Sequence, residues 1–229
     1  VRTFGDAEAQ WADETDFDLE AAFDEALEPQ VAIPGGGSLY IETTRAMTTI
    51  DVDADGRKGQ GNAAQLAVQL NNSAAKEAAR QARMRGIGGI LAIDFVHMRG
   101  QPDRKAVEQT LRGAFRRDRA KVDVAPLSQF CIGEVARQRR GRTLSEIMLE
   151  SDGRPTVETA ALTALRRLDA EARSDRSRKQ RLTVGPEVFN WLDSDTIAWR
   201  AALTDRIGAR FELTENPELA RHACRVGRA

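Results

Sequence analysis

The sequence predicts an α/β protein whose mixed sheet is built around a βαβ crossover and is followed by a small α/β lobe. Three observations support this fold class. Short β-rich runs alternate with amphipathic helical patterns along the 229 residues. One long helical pattern lies between two apolar runs that each end in aspartate. A polar stretch then separates this part from a second, shorter alternation of helix and strand, so the length is read as two domains.

The elements of the first part follow from residue periodicity and from glycine and proline breakers. An acidic segment at 1–15 precedes a domain at 16–142. The pattern predicts these elements in chain order: a helix at 16–28, strands at 38–43 and 46–52, a helix at 62–85, a strand at 90–93, a helix at 102–119, and strands at 121–125 and 130–135. Because the run at 90–93 is apolar throughout, we expect a buried central strand there.

A linker and a small lobe are predicted after this domain. The stretch 143–156 contains Asp152, Gly153 and Pro155, which favour turns. The small α/β domain at 157–229 is predicted from a helix, a strand at 182–184, two helices around Trp191 and Trp199, and a strand at 211–213.

Composition excludes several classes of protein. Hydrophobic residues make up 41% and charged residues 30% of the chain, which describes a globular protein rather than a disordered one. No apolar run approaches the roughly 18–20 residues of a membrane span, and no signal-peptide pattern is present, so no membrane partner and a cytoplasmic location are expected. Two cysteines and two histidines do not form a zinc-binding set.

Charge is unevenly distributed along the chain. Residues 1–30 contain ten acidic residues and one arginine, whereas residues 99–142 contain twelve basic and five acidic residues. A basic stretch of this kind suits a polyanionic partner. Solvated helix and loop surfaces also collect arginine, and charge alone does not separate these two interpretations.

Two predicted strands each end in an aspartate, Asp51 after Thr49-Ile50 and Asp94 after Ala92-Ile93. If one crossover helix joins them, the strands are parallel neighbours about 4.8 Å apart, with both carboxylates at one edge of the sheet. Carboxylates this close repel each other unless a proton or cation lies between them, and hard oxygen ligands suit Mg²⁺ or Mn²⁺. The pair therefore predicts metal-assisted phosphodiester hydrolysis. A turn-capping role for each aspartate is the alternative.

Three further motifs point to other functions. Residues 51–56 copy the first half of an EF-hand calcium loop, but Lys58 and Asn62 stand at its eighth and twelfth positions. Residues 59–64 resemble a dinucleotide fingerprint, yet three aspartates precede them and would repel a pyrophosphate. His97 is a candidate proton carrier, with an ordinary surface role as its alternative.

A set of residues with matching types and spacings runs through the first domain. In order, these are Leu39–Thr43, Ala46–Val52, Asn71, Ala79–Gln81, Arg83–Arg85, Gly88–Ile90, Ile93–Phe95, Met98, Asp118–Lys121, Phe130, Glu134 and Arg137–Arg139. Over roughly residues 15–142 the chain resembles the catalytic core of the ribonuclease E/G family, which contains a subdomain likened to DNase I. The second lobe resembles the small domain of that family more weakly.

The resemblance implies a metal-dependent endoribonuclease. Asp51 and Asp94 would be the ligands of a catalytic Mg²⁺. Apart from the resemblance, the residues themselves suggest Asp53 as an auxiliary acceptor and Mn²⁺ as another suitable ion. A metal-activated water would cleave single-stranded RNA and leave 5′-phosphate and 3′-hydroxyl ends. Four basic residues would contact the RNA backbone: Arg119, Lys121, Arg137 and Arg139.

The sequence also departs from the family pattern. Asp53 stands where the family usually has asparagine, His97 where aspartate is usual, and Ser73 where glutamate is usual. A short stretch at 149–156 replaces the cysteine-bearing zinc link, so no zinc-linked assembly is expected. The 229 residues have no counterpart of the N-terminal RNA-binding domains of the family, as expected either for a fragment of a longer protein or for a reduced family member. A homodimer is one assembly that the sequence leaves open. These departures favour the alternative function, a non-catalytic RNA-binding or scaffold protein that retains the fold.

Overall fold

The computed structural model describes residues 19–56, 63–195 and 197–229. The described residues divide into two compact units, with the boundary between Leu144 and Ser145. The first unit contains α1 (Leu19–Leu27), β1 (Gln30–Ala32), β2 (Ser38–Thr43), β3 (Thr48–Asp53), α2 (Ala63–Met84), β4 (Gly89–Asp94), α3 (Gln101–Phe115), β5 (Val122–Val124) and β6 (Ile132–Arg137). The second contains α4 (Leu144–Met148, beginning at the boundary), α5 (Val157–Ser174), β7 (Gln180–Val184), α6 (Pro186–Asp193), α7 (Trp199–Ile207), β8 (Phe211–Glu215) and β9 (Cys224–Arg228).

A six-stranded mixed sheet forms the centre of the first unit, which confirms the predicted fold class. Its strand order is β1-β2-β3-β4-β6-β5. Strands β3 and β4 are parallel and are joined through α2, whereas every other neighbouring pair is antiparallel. A parallel pair needs a crossover connection, and α2 supplies it. The predicted βαβ unit is therefore present.

Burial alternates along the central strands, so one face of the sheet is covered and the other is exposed. Ile50, Val52, Leu91 and Ile93 lie on the covered face and join one core with buried residues of α2 and α3, such as Leu70. The opposite face, here called the open face, carries exposed side chains of β3, β4 and β6: Asp51, Asp53, Ile90, Asp94, Glu134 and Ala136. The helices thus leave one side of the sheet accessible to a ligand.

Strand β4 differs from its prediction. The apolar run at 90–93 predicted a buried strand, but Ile90 is 50% exposed and Ala92 is half-buried, because both lie on the open face. The run is apolar on both sides while only Leu91 and Ile93 face the core. Side chains that alternate across a strand reach both faces, so hydrophobicity alone does not show that both faces are covered.

The second unit is a small α/β lobe, as its sequence pattern predicted. Strand β7 lies between β8, to which it is parallel, and β9, to which it is antiparallel. Helices α5, α6 and α7 share a core with the sheet, in which Leu168, Leu182 and Trp199 are buried. Thr156 begins α5 as its N-cap, since its side chain accepts a hydrogen bond from the Thr159 amide at 3.1 Å.

Several short elements were missed by the sequence analysis. Strand β1 forms beside β2 in a stretch for which the sequence pattern predicts no element, and β9 completes the second sheet. The stretch 143–156, predicted as a linker, contains α4 and an isolated bridge between Leu149 and Pro155. The first residues of the helix predicted at 16–28, residues 16–18, lie outside the described residues. In the described ranges, no helix is both long and apolar enough to cross a membrane.

Gly37 positions the end of β3. Its φ is +91°, a left-handed conformation that favours glycine, and a Cβ on it would lie 2.6 Å from the Asp53 carbonyl oxygen and 2.8 Å from Cδ1 of Leu70. The turn before β2 therefore packs directly against the strand that carries Asp51 and Asp53.

We expect Gly37→Ala to destabilise the first unit by about 2 kcal/mol or more, because left-handed strain of about 1–2 kcal/mol adds to a backbone clash. Gly56→Ala is the matched control, since Gly56 has φ +66° but its Cβ position meets no atom of the described residues within 4 Å. Urea denaturation measures both variants. Equal losses for the two would contradict the close approach.

Candidate active site

Asp51 and Asp94 are direct register partners on the parallel strands β3 and β4. Neighbouring strands lie about 4.8 Å apart, and both side chains are exposed on the open face. Across the sheet, the same row continues from Tyr40 on β2, which pairs with Asp51, to Ile132 on β6, which pairs with Asp94. The structure therefore brings the two predicted ligands together at the carboxyl ends of the parallel strands.

The carboxylate of Asp51 is repelled by the nearby carboxylates of Asp94 and Asp53. The pKa of Asp51 is raised above its ordinary value, first by partial burial, and then by repulsion from the carboxylates of Asp94 and Asp53. A hydrogen bond from the Val52 amide acts in the opposite direction. A cation between the carboxylates would relieve the repulsion, so the site is electrostatically suited to a positive ligand.

Asp53 lies at the end of β3 and is partly committed to the adjacent turn. Its Oδ1 accepts the Asp55 amide at 2.8 Å, and Asp55 in turn accepts a hydrogen bond from Ser38 Oγ at 2.5 Å. The second carboxylate oxygen of Asp53 is available on the exposed side of the strand. Asp53 thus stands close enough to influence Asp51, as an auxiliary oxygen donor requires.

The donor set fits Mg²⁺ but contains only a pair of closely placed carboxylates. Among the described residues, no group of three or more histidine, cysteine, aspartate or glutamate side chains converges to hold a metal. Mg²⁺ keeps several waters and is commonly bound through one or two carboxylates together with substrate phosphate oxygens. Two hard carboxylates that repel each other therefore suit this ion.

The calcium motif takes a different form from an EF-hand loop. Asp51 and Asp53 belong to a β-strand that follows another strand, whereas an EF-hand places its loop between two helices. Lys58, Asn62 and most of the dinucleotide-like motif at 59–64 lie outside the described residues.

The loop after Asp94 is fixed by its neighbours. Asn71 on α2 is fully buried; its side chain donates to the Val96 carbonyl at 2.7 Å and accepts from the Val96 amide at 3.1 Å. The Phe95 amide donates to the Cys131 carbonyl at 3.3 Å. These bonds hold the backbone on the carboxyl side of Asp94. His97 lies in this loop with its side chain exposed.

Arg137 does not occupy the exposed position that RNA contact requires. It is 8% exposed and forms a two-point ion pair with Asp118, at 2.9 and 3.0 Å, while Nη1 donates to the Ile87 carbonyl at 2.6 Å. Burial alone would raise the pKa of Asp118, but hydrogen bonds from Arg137 and the Ala120 amide lower it below the ordinary value. We therefore correct the interpretation of Arg137 to a structural one.

A sequence signal for this buried pair existed. Burial alternates along β6, so Gly133, Val135 and Arg137 fall on the covered face. An arginine at a covered position of an alternating strand predicts a buried partner. The partner, Asp118, is distant in sequence and stands in a turn, which is why strand periodicity alone does not identify it.

The other three predicted RNA-contact residues, Arg119, Lys121 and Arg139, are exposed, and hydrogen bonds join the chain segments that carry them. The Lys121 carbonyl accepts the Gln138 amide at 2.8 Å, and Arg140 donates to the Arg119 carbonyl at 3.1 Å. They lie at the far end of the sheet from the aspartates, because β6 runs antiparallel to β4. The length of β4 separates the two ends by about 17 Å.

The pair of carboxylates lies at the carboxyl ends of parallel strands, which is the edge at which open α/β sheets commonly bind their ligands. Comparison with known proteins specifies the class of protein. The model of the ribonuclease E/G family matches residues 9–140, more than half of the chain. The chain therefore belongs to the ribonuclease E/G family.

Individual relatives are similar over different lengths. Ribonuclease E of Escherichia coli is 31% identical over 211 residues, which cover 89% of this chain and 20% of that protein. Ribonuclease G of the same organism is 34% identical over 62% of this chain and 30% of its own length. A chloroplastic ribonuclease E/G-like protein of Arabidopsis thaliana is 37% identical over 54% of this chain and 12% of its length. The chain thus spans about a fifth of the ribonuclease E proteins that it matches.

We expect Arg137→Met to destabilise the first unit by about 3–5 kcal/mol, because it leaves the Asp118 carboxylate buried without its partner. The pKa of Asp118 is lowered in the folded state, so the pair stabilises the fold fully above the ordinary pKa of 3.8 and loses this contribution as the pH falls through the lower folded value. Urea titrations at several pH values measure this difference.

Exposed Arg139→Met is the matched control and should change stability by less than about 0.5 kcal/mol. A parental stability for Arg137→Met, or a loss that does not shrink in acid, would contradict the structural role of the pair.

Proposed function

We propose that the chain is the catalytic core of a metal-dependent endoribonuclease that cleaves single-stranded RNA. The observation that carries the proposal is the register pairing of Asp51 with Asp94 on an exposed sheet face. Membership of the ribonuclease E/G family supports RNA as the substrate class, since relatives that span this chain and more are named ribonucleases.

Asp51 and Asp94 would hold Mg²⁺, or Mn²⁺, with Asp53 as an auxiliary oxygen donor. The pKa of Asp51 is raised first by partial burial and then by repulsion from Asp94 and Asp53. The repulsion supports this assignment, because a bound cation would offset it. When bound, the ion supplies Lewis-acid stabilisation of charge on the phosphate and lowers the pKa of a bound water to make it a nucleophile.

The protein contributes rigid placement of the two carboxylates. Hydrogen bonding between β3 and β4 fixes the spacing of Asp51 and Asp94, and Asn71 fixes the backbone that follows Asp94. Such preorganisation avoids reorganisation during the reaction. Attack of water on the phosphate with departure of the 3′ oxygen leaves 5′-phosphate and 3′-hydroxyl ends, the proposed products.

Arg119, Lys121 and Arg139 are proposed to contact the RNA backbone. Their exposure and positive charge support the assignment, and their position at the opposite end of the strands gives a direction to the RNA. An RNA strand that reaches both the carboxylates and this basic group would run roughly along β4 for about 17 Å. Arg137 supports the group from beneath, through its ion pair with Asp118.

Other parts of the function stay predictions from the sequence. These are a homodimer, a cytoplasmic location, and an assembly that does not use a zinc link. The described residues include two free cysteines, of which Cys131 is buried in the core of the first unit.

The alternative function is RNA binding without catalysis. It is favoured by two departures from the family pattern, Asp53 in place of the usual asparagine and His97 in place of the usual aspartate. RNA binding that is retained, with no cleavage in Mg²⁺ or Mn²⁺, would favour this alternative.

We expect Asp51→Asn and Asp94→Asn each to lower Mg²⁺-dependent cleavage of a labelled single-stranded RNA by about 100-fold or more, because each removes charge that holds the ion. Both side chains are exposed, so thermal unfolding should be nearly unchanged. Gel assays with Mg²⁺, Mn²⁺ or EDTA measure the products.

Asp123→Asn is the control for these variants. Asp123 is exposed and pairs with Ala136, toward the far end of the open face. It should cut at the parental rate. Cleavage at the parental rate by either the Asp51 or the Asp94 variant would show that the site is assigned to the wrong residues.

We expect Lys121→Ala to weaken RNA binding by a similar factor for different sequences. Loss of one phosphate contact to a single strand should reduce the slope of log affinity against log salt by about 0.7. Fluorescence anisotropy at several salt concentrations measures the slope. Lys105→Ala, at an exposed position of α3, should retain the parental slope; an unchanged slope for Lys121→Ala would remove that residue from the RNA path.

A further inference from the structure

Phe130 is the most exposed large apolar side chain in the described ranges. Its exposed fraction is 72%, compared with 52% for Ile147 and 50% for Ile90. Exposing an aromatic ring to water forgoes the free energy that burial would supply, so an isolated, strongly exposed ring is a candidate contact for a ligand.

The exposure of Phe130 does not result from a loose loop. Ser128 Oγ accepts the amides of Phe130 at 3.2 Å and Ile132 at 3.1 Å, and the Ser128 carbonyl accepts the Cys131 amide at 3.0 Å. The Ser128 amide donates to the Ile132 carbonyl at 3.0 Å. Each backbone amide of the turn that carries the ring therefore has a defined partner, apart from that of Gln129.

This turn is also attached to the loop that follows Asp94. The Cys131 carbonyl accepts the Phe95 amide at 3.3 Å, and Cys131 Sγ accepts the Met98 amide at 3.2 Å. Cys131 is fully buried and has φ +68°, a conformation that is costly for a residue with a Cβ and is held here by these contacts. These hydrogen bonds therefore hold the turn that carries Phe130 in a fixed position relative to the loop after Asp94.

Phe130 lies at the carboxylate end of the sheet. Its near neighbour in the chain, Ile132, is the register partner of Asp94. The geometry of an antiparallel pair and the reach of two residues place the Cα atoms of Phe130 and Asp94 within about 12 Å. A nucleotide next to a phosphate held at Asp51 and Asp94 can place its base within reach of the ring.

We propose that Phe130 is a positioning residue that stacks on one nucleobase of the RNA near the scissile phosphate. The inference rests on the proposed function, because it takes the phosphate to lie at Asp51 and Asp94. Aromatic rings stack on every base, and such stacking tolerates different sequences. A fixed ring would set the distance between one base and the cleaved bond, so it would place the cut without reading a sequence strictly.

The chemistry favours a base over a protein side chain as the occupant. The turn that carries the ring lies at the end of the sheet where Asp51 and Asp94 are register partners, and that pair suits a metal-bound phosphodiester. A base joined to that phosphodiester reaches the ring without any further partner. A protein partner that covers the ring is the other outcome of the test.

The test uses the full chain and single-stranded RNA oligonucleotides of one sequence. In the Asp94→Asn background, which blocks cleavage under the proposed function, Phe130→Ala and Phe130→Leu are expected to weaken binding by about 10-fold, as lost stacking on one base implies. Phe130→Trp should restore affinity. Gln129→Ala, at an exposed neighbour in the same turn, should bind as its parent does.

Oligonucleotides that lack a single base at successive positions test the stacking directly. At one position, removal of the base should weaken RNA binding by the Asp94→Asn chain as much as Phe130→Ala does. The same abasic RNA should bind the Phe130→Ala variant no more weakly than intact RNA does. In the chain with Asp94 intact, Phe130→Ala should raise the KM for RNA cleavage about 10-fold and leave kcat nearly unchanged. Parental affinity of Phe130→Ala, equal affinity of the Leu and Trp variants, or additive abasic effects would overturn the inference.

The two proposals fail differently. If the chain does not cut RNA in Mg²⁺ but Phe130→Ala still weakens binding in the base-dependent manner, the catalytic proposal fails and the stacking role is supported. If Asp94→Asn abolishes cleavage and Phe130→Ala changes neither affinity nor KM, the stacking role fails and the catalytic proposal stands. Absence of RNA binding by the full chain overturns both.

Discussion

The parallel pairing of β3 with β4 is the constraint on which the candidate active site depends. An antiparallel pairing would send Asp51 and Asp94 to opposite ends of the sheet, whereas the crossover through α2 makes them register partners. The cost is electrostatic, because burial and neighbouring carboxylates raise the pKa of Asp51. The hydrophobic core on the covered face holds the strands in place against that repulsion.

One-sided covering of the sheet turns this pair into an accessible site. With α2 and α3 contributing to the covered face, the open face presents the carboxylates of Asp51 and Asp94 at one end of β3 and β4. The exposed residues Arg119, Lys121 and Arg139 lie near the other end of the sheet. The basic end is built on a buried ion pair between Asp118 and Arg137. Charge of both signs is therefore placed along the strand direction, which suits a polyanion that reaches a cation-dependent site.

Part of this arrangement could be predicted from sequence because local patterns carry it. The crossover and the aspartates after Ile50 and Ile93 follow from periodicity and chain connectivity. The exposure of Ile90 could not be predicted, since an apolar run does not reveal which face of a strand lacks a cover. The burial of Arg137 depends on Asp118, a partner in another turn, and strand β1 is too short to show a period.

A crystal structure of the chain soaked with Mn²⁺ tests the central claim most directly, because anomalous scattering identifies the ion itself. The expected result is one ion with carboxylate oxygens of both Asp51 and Asp94 among its ligands. An ion bound elsewhere, or bound to one of these aspartates while the other points away, would contradict the assignment of the pair as a shared metal site.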